Sequence, residues 1–365
     1  MAWKFRIPSP PKSPLKGGLR GSTDNVKPYC SPLEGGRGAK LYSIFKWAII
    51  IVSFIFLYRE FNKYENYAEL QTIFSDFSFS RFKWLFLVFL LLPINWLLEF
   101  YKWTYLCAPF EKISLLTSTK SVLSGLVAGF LSPNRIGELV GRPVFLKPEN
   151  RISAALMTIL NGFSQTIIIV ACGIPSAVFF FFYFLRENSG EFQLYTWLCV
   201  IFLVVFLLIY LLLPKISRWL LKPLNPLKGT WRRYFRKSPL QGVGGKKALQ
   251  TISEISVSRL LILLLFSFVR YVVFCLQFYF MLFFCGVEIS VFEATITTTL
   301  YYLFITITPS FSVSEAVVRV SFAVFLIGFF SANLIGIASA GLLLWVINFA
   351  LPMLVGTVFF AKSKI

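Results

Sequence analysis

The feature that most limits how this chain can fold is a series of apolar runs, most of them about as long as a helix that crosses a bilayer. Backbone groups find no water in the bilayer core, so spanning segments form helices or closed barrels. The runs lack the polar alternation of barrel strands, and 57% of the chain is hydrophobic. We therefore predict an all-α polytopic membrane protein with about six full transmembrane helices and two re-entrant or short helical hairpins. The predicted spans are about 41–58, 82–106, 152–185, 192–213, 257–285 and 334–360.

Most of the net charge of +20 lies in two polar segments. Residues 1–40 hold eight basic and two acidic residues, and residues 214–256 hold ten and one. Basic residues beside membrane spans favour the cytoplasmic side and anionic headgroups, so no nucleic-acid partner is expected. We predict a disordered basic cytoplasmic tail at 1–40, a transmembrane domain at 41–361 with a cytoplasmic basic loop at 214–256, and a cytoplasmic C-terminus at 362–365.

The same charge rule distinguishes full spans from hairpins. If the apolar segment 113–131 crossed the membrane, the basic segment 214–256 would lie outside. If 113–131 instead turns near Pro133 and returns, every charged loop falls on its preferred side. Gly125 and Gly129 would let this hairpin pack closely against a neighbour.

A second pair of apolar segments lies at about 289–308 and 315–330, and charge parity does not decide between a hairpin and two full spans. If it is a hairpin, the chain contains an inverted repeat, which is the common plan of secondary transporters.

The turn of the first hairpin carries a proline followed by paired charges. Pro133 ends the apolar helix, and Ser132 or Asn134 can cap a new helix that starts near Arg135. Arg135 and Arg142 suit an anion, and Glu138 can pair with Arg142 four residues later. Two interpretations stay open: a site for a lipid phosphate, or a helix cap at the membrane boundary whose arginines touch lipid phosphates nonspecifically.

The second pair of segments contains a weaker copy of this motif. Pro309 breaks an apolar run, and Glu315 stands four residues before Arg319. Ionisable residues inside the membrane are candidates for function, although an internally neutralised pair that fixes helix packing is the alternative.

Arg270 lies thirteen residues into an apolar span, where a lone cation is costly. Glu99, Glu138 or Glu315 could offset its charge, either as a structural ion pair or as a place that a substrate phosphate takes over. Asn95 and Glu99 share one face of the second span, so we predict that both support the site from inside the bundle.

Conventional membrane-enzyme chemistry is not expected. The chain has no histidine, only two aspartates, and six scattered cysteines without metal-ligand spacing. These counts remove His-based catalysis and aspartate-rich Mg²⁺ sites. We predict no enzyme activity, no cofactor and no metal.

At the two motifs the chain resembles the transmembrane flippase-like domain of lysylphosphatidylglycerol synthases, over roughly residues 41–360. This family also occurs as stand-alone membrane proteins and beside archaeal dolichyl-phosphate glycosyltransferases. The family has a Pro-Gly-Arg-x-Gly-Glu pattern. This chain matches it with Pro133, Arg135, Gly137 and Glu138, and Arg142 follows downstream. Pro309 and Glu315 match its later Pro…Gly…Glu pattern. The chain departs from the family in Asn134, which replaces the first glycine, and in serines that replace glycines of the later motif.

The resemblance implies a bacterial inner-membrane protein that moves or presents anionic phospholipids or polyprenyl-linked lipids. No segment after the last span is long enough for the family's aminoacyl-transferase domain, so transfer of an amino acid is not expected. The alternative is a non-transporting scaffold or accessory subunit for a separate lipid- or glycan-modifying enzyme. Expected partners are anionic lipid headgroups and, in the alternative, that enzyme.

Overall fold

The structure, a computed structural model, describes residues 55, 58–59, 79–130, 132–185, 189–221, 243–309 and 312–361. All regular elements within these residues are helices, which confirms the predicted all-α membrane class. The α-helices are α1 (Phe79–Cys107), α2 (Leu115–Phe130), α3 (Glu138–Gly141), α4 (Arg151–Leu185), α5 (Ser189–Leu221), α6 (Val243–Ser253), α7 (Val257–Phe284), α8 (Val291–Ile307), α9 (Ser312–Ile327), α10 (Leu334–Trp345) and α11 (Leu351–Ala361). A π-helical turn at Val346–Ala350 joins α10 to α11 into one continuous span.

In the described part of the chain, five helices are long and apolar enough to cross a membrane. They lie in α1, α4, α5, α7 and the joined α10–α11, and they match five of the six predicted spans. The sixth predicted span, 41–58, lies almost wholly outside the described residues, as do the predicted tail 1–40 and the C-terminus 362–365.

Helix α5 extends beyond residue 213, the predicted end of this span, into the predicted basic segment 214–256. Helix α5 continues through Pro214 to Leu221, because a proline inside a helix removes one backbone hydrogen bond without necessarily ending the helix. Arg218 Nε donates to Ser253 O at 2.9 Å and so ties this extension to α6. The segment 222–242 lies outside the described residues.

Helices α1 and α7 form an antiparallel pair at the centre of the fold. Trp84 near the start of α1 stacks on Phe280 near the end of α7, with ring centroids 5.5 Å apart. At the other end, the Arg259 guanidinium lies 5.1 Å from the ring centroid of Tyr105. These contacts set the ends of the two helices level with each other.

The first hairpin begins and ends at the same end of the bundle, as predicted. Asn150 Nδ2, where the return segment joins α4, donates to Glu111 Oε2 at 2.8 Å, just before α2 begins. Between these residues the chain runs along α2, turns at Pro133–Arg135, and comes back through α3 and two 3-10 turns.

Helices α8 and α9 form the second helical hairpin. Phe292 at the start of α8 packs on Phe179, and Phe329 just after α9 packs on Phe180, with centroids 5.3 Å and 5.4 Å apart. Both ends of the hairpin therefore lie beside the end of α4. The 17 and 16 residues of α8 and α9 give about 25 Å of helix each, less than the about 30 Å of a bilayer core.

The second hairpin packs against α4, and the first hairpin packs against α11. A Cβ on Gly173 of α4 would lie 2.6 Å from Leu303 Cβ of α8, and one on Gly356 of α11 would lie 2.6 Å from the carbonyl oxygen of Leu123 on α2. The order α1, first hairpin, α4 is repeated later in the chain by α7, second hairpin and α10–α11, and an inverted repeat has two such corresponding sets of elements.

Candidate functional site

The tip of the first hairpin is a left-handed turn. Asn134 and Arg135 have φ angles of 49° and 57°, a region that side chains other than glycine rarely adopt. Asparagine is among the residues that tolerate it best. Asn134 therefore occupies a backbone conformation that its side chain tolerates.

The helix that was predicted to start near Arg135 begins at Glu138 instead. A single 3-10 turn, Pro133–Arg135, precedes the four-residue helix α3, because the left-handed residues interrupt the helix. Ser132 does act in the turn: its Oγ accepts from the Gly137 backbone N–H at 2.6 Å. Asn134 does not cap α3, whose N-cap is Gly137.

Gly125 and Gly129 were predicted to let the first hairpin pack closely against a neighbour. In the structure they allow its two arms to pack against each other. A Cβ on Gly125 would overlap the Arg142 side chain, and one on Gly129 would lie 2.8 Å from Glu138 Cγ. On the return arm, a Cβ on Gly137 would overlap the backbone carbonyl of Ala128. The charged return arm is therefore pressed directly onto α2.

Glu99 of α1 is the centre of a buried ion network. Its Oε1 lies 2.8 Å from Arg142 Nη1, and its Oε2 lies 2.8 Å from Arg270 Nη1. Arg142 also binds Glu138 Oε2 at 3.0 Å, so the predicted i, i+4 pair forms. Only 1% of the Glu99 side chain is exposed, which means that its charge is balanced by these arginines rather than by water.

Amides and a lysine complete this network. Asn95 Oδ1 accepts from Arg270 Nε at 2.9 Å, and Asn161 Nδ2 donates to Glu99 Oε1 at 2.9 Å. The fully buried Lys102 donates to Ser267 Oγ at 2.6 Å and to the Asn161 carbonyl oxygen at 3.3 Å. The predicted supporting residues Asn95 and Glu99 thus lie on the bundle-facing side of α1.

The two sequence motifs meet at Glu315. Its Oε1 lies 2.7 Å from Arg319 Nη2 in the predicted i, i+4 pair and 2.7 Å from Arg135 Nη2 of the first hairpin. Residues 180 positions apart in the sequence therefore share one carboxylate oxygen. Pro309 follows the extended C-cap of α8, Thr308, and Glu315 lies in the first turn of α9.

The charged residues fall into two groups that differ in exposure. The inner group contains Arg142, Arg270 and Lys102 together with Glu99 and Glu138. In the outer group, Arg135 and Arg319 both pair with Glu315, which leaves an excess of one positive charge. Side-chain exposure rises from 8% at Arg142 to 21% at Arg319 and 40% at Arg135. The excess positive charge of the outer group is therefore accessible.

Aromatic rings hold the arginines from the other side. The Arg135 guanidinium lies 4.4 Å from the ring centroid of Phe349, and the Arg270 guanidinium lies 5.0 Å from that of Phe274. Such cation–π contacts keep a guanidinium in place when a carboxylate partner moves away.

Several residues of this site were missing from the predicted set. They are Lys102, Asn161, Ser267, Asn348 and Phe349. Asn348 and Phe349 lie in the π-helical turn, an irregularity common at functional sites, and Asn348 Oδ1 accepts from Asn95 at 3.3 Å. A lone amide in an apolar run was the available signal for Asn348. No comparable signal marks Phe349 among 42 phenylalanines.

No family model, no curated protein and no solved structure matches the chain.

Proposed function

We propose that this protein is a flippase-like lipid transporter, which moves or presents an anionic phospholipid or polyprenyl-linked lipid in the inner membrane of a bacterium, with both termini in the cytoplasm. The resemblance to the transmembrane domain of lysylphosphatidylglycerol synthases agrees with this proposal. The observation that carries it is the contact between the two motifs, in which Arg135 and Arg319 share Glu315 at the tips of two hairpins.

The outer group suits a lipid phosphate for three reasons. It has an excess of one positive charge, which a singly charged phosphodiester would balance. Arginine binds phosphate through two parallel donors. The site also lies within a bundle of membrane-spanning helices, so a ligand with acyl or prenyl chains can keep them among apolar side chains.

In the proposed mechanism Glu315 acts as a stand-in for the phosphate. When the site is empty, the carboxylate bridges Arg135 and Arg319. An entering phosphate accepts hydrogen bonds from both guanidiniums and displaces Glu315, which separates the tip of the first hairpin from α9. The inner group, centred on Glu99, stays paired and keeps the hairpin anchored to α1 and α7.

The inner and outer arginines therefore have different roles, although all four were predicted to bind the phosphate. Arg142 and Arg270 already bind a carboxylate that is almost fully buried, and removing either cation from it is costly. Arg135 and Arg319 are the proposed phosphate-binding residues.

Replacing Arg319 with glutamine should slow lipid translocation roughly tenfold or more, because one of the two cationic donors to the phosphate is lost. The measurement is the accessibility of fluorescent phosphatidylglycerol to an impermeant quencher in proteoliposomes. The matched control is Lys215→Gln, which removes an exposed positive charge from α5 and should leave the rate unchanged. An unchanged rate in a folded Arg319→Gln variant would contradict the transport proposal.

The scaffold alternative predicts no translocation by the wild-type protein in the same assay. A closed, fully apolar interior would favour it. The described interior instead contains two groups of paired charges, of which the outer one includes the accessible Arg135, and this supports transport.

A further inference from the structure

A polar cavity of about 610 Å³ lies at the opposite end of the α1–α7 pair from Glu99. It is lined by the start of α1, the end of α7 and the segment that leads into α8. Its principal residues are Arg81, Trp84, Phe283, Gly286, Glu288 and Glu293. The 18 positions between Arg81 and Glu99 on α1 correspond to about 27 Å of helix, close to the thickness of a bilayer core.

The cavity lies at the ends of two candidate membrane-spanning segments, where lipid headgroups are expected. The membrane-spanning segment of α1 begins at Arg81, and that of α7 ends at Phe284. Trp84 stacks on Phe283 with ring centroids 5.1 Å apart, and tryptophan is enriched at the interface between membrane and water. A ligand held here would have its polar part beside Arg81 and its apolar part beside these rings.

The cavity contains one cation and one anion that form no ion pair with a described residue. Among the described residues neither Arg81 nor Glu288 takes part in an ion pair or a side-chain hydrogen bond. Glu293 is engaged, because its Oε2 accepts from Ser290 Oγ at 2.7 Å in the capping box of α8. One free cation and one free anion therefore face the same space.

The wall of the cavity is fixed by the fold. Gly286 has a φ of 70°, and its carbonyl oxygen accepts from Asn333 Nδ2 at 3.0 Å. A Cβ at this glycine would lie 3.4 Å from Arg81 Nη1, so the glycine lets the guanidinium lie close to the backbone.

We propose that this cavity binds the headgroup of a zwitterionic phospholipid, with the phosphate on Arg81 and the ammonium on Glu288. A purely anionic headgroup would satisfy Arg81 but would meet the carboxylates of Glu288 and Glu293. A headgroup that carries both charges balances the free cation and the free anion together. Headgroup binding here does not require that the hairpin tips translocate lipid.

The test is the affinity of the purified full-length protein in detergent for short-chain phosphatidylethanolamine, short-chain phosphatidylglycerol and free phosphoethanolamine, measured by native mass spectrometry. Arg81→Gln should weaken binding of phosphatidylethanolamine roughly tenfold or more, because a charged donor to the phosphate is lost. Glu288→Gln should weaken the binding of phosphatidylethanolamine by a similar factor, while phosphatidylglycerol binds equally well or better. The matched control, Arg259→Gln at the other end of α7, should change the affinity for neither lipid.

The proposal is overturned if Glu288→Gln leaves the affinity for phosphatidylethanolamine unchanged, or if it lowers the affinities for phosphatidylethanolamine and phosphatidylglycerol by the same factor. Free phosphoethanolamine that binds as tightly as the lipid would contradict a lipid ligand. The effect of Glu288→Gln should persist in an Arg319→Gln background, so failure of transport at the hairpin tips and failure of headgroup binding at this cavity are distinguishable.

Discussion

Replacing Glu99 with glutamine is expected to lower the free energy of unfolding by about 3–5 kcal/mol, the usual cost of removing one partner from a buried ion pair. The substitution keeps the size of the side chain and removes only its charge. Arg142 and Arg270 would then lie in the bundle without the carboxylate that now binds both at 2.8 Å. Unfolding by SDS in mixed micelles measures the loss.

The control for this substitution is Glu149→Gln, at an exposed position between the first hairpin and α4. It should change the free energy of unfolding by no more than about 0.5 kcal/mol. Combining Glu99→Gln with Arg270→Gln should recover part of the loss, because Arg142 still has Glu138 at 3.0 Å. A Glu99→Gln variant as stable as the wild type would contradict the role of Glu99 as the buried counterion.

The second large effect is expected at Gly141, where the return arm crosses α2. A Cβ there would lie 2.6 Å from the Ser124 carbonyl oxygen and 2.8 Å from Gly125 Cα. Both neighbours are backbone atoms and cannot move without shifting the hairpin. Gly141→Ala should therefore lower the free energy of unfolding by about 1–3 kcal/mol.

Gly162→Ala is the matched control, because a Cβ at this position on α4 has no neighbour within 4 Å. It should raise the free energy of unfolding by about 0.5–1 kcal/mol, the ordinary gain from alanine in a helix. If both glycine substitutions had the same sign, the close packing of the return arm on α2 would be wrong.

The spans could be predicted from the sequence because length and apolarity alone decide them. The position of the first turn followed from Pro133 and from the charges of the flanking loops. The i, i+4 pairs Glu138–Arg142 and Glu315–Arg319 followed from helical spacing, since both partners lie on one face of a single turn.

Contacts between distant segments could not be predicted in the same way. Arg270 had three candidate carboxylates, and only the antiparallel α1–α7 pairing selects Glu99. The contact of Arg135 with Glu315 depends on two hairpins whose packing no local pattern specifies. The helix of the return arm was predicted to start near Arg135 rather than at Glu138, because left-handed residues at Asn134 and Arg135 leave little trace in the sequence.

The most direct test of the central claim, that the two motifs form one anion site, is a double-mutant cycle of Arg135 and Glu315. The quantity measured is the affinity of the purified protein for short-chain phosphatidylglycerol. Glu315→Gln should tighten binding roughly tenfold, because the phosphate no longer competes with a carboxylate, and Arg135→Gln should weaken it. In the Arg135→Gln background the gain from Glu315→Gln should be clearly smaller. Equal effects of Glu315→Gln in both backgrounds, or weaker binding after Glu315→Gln, would contradict a shared site.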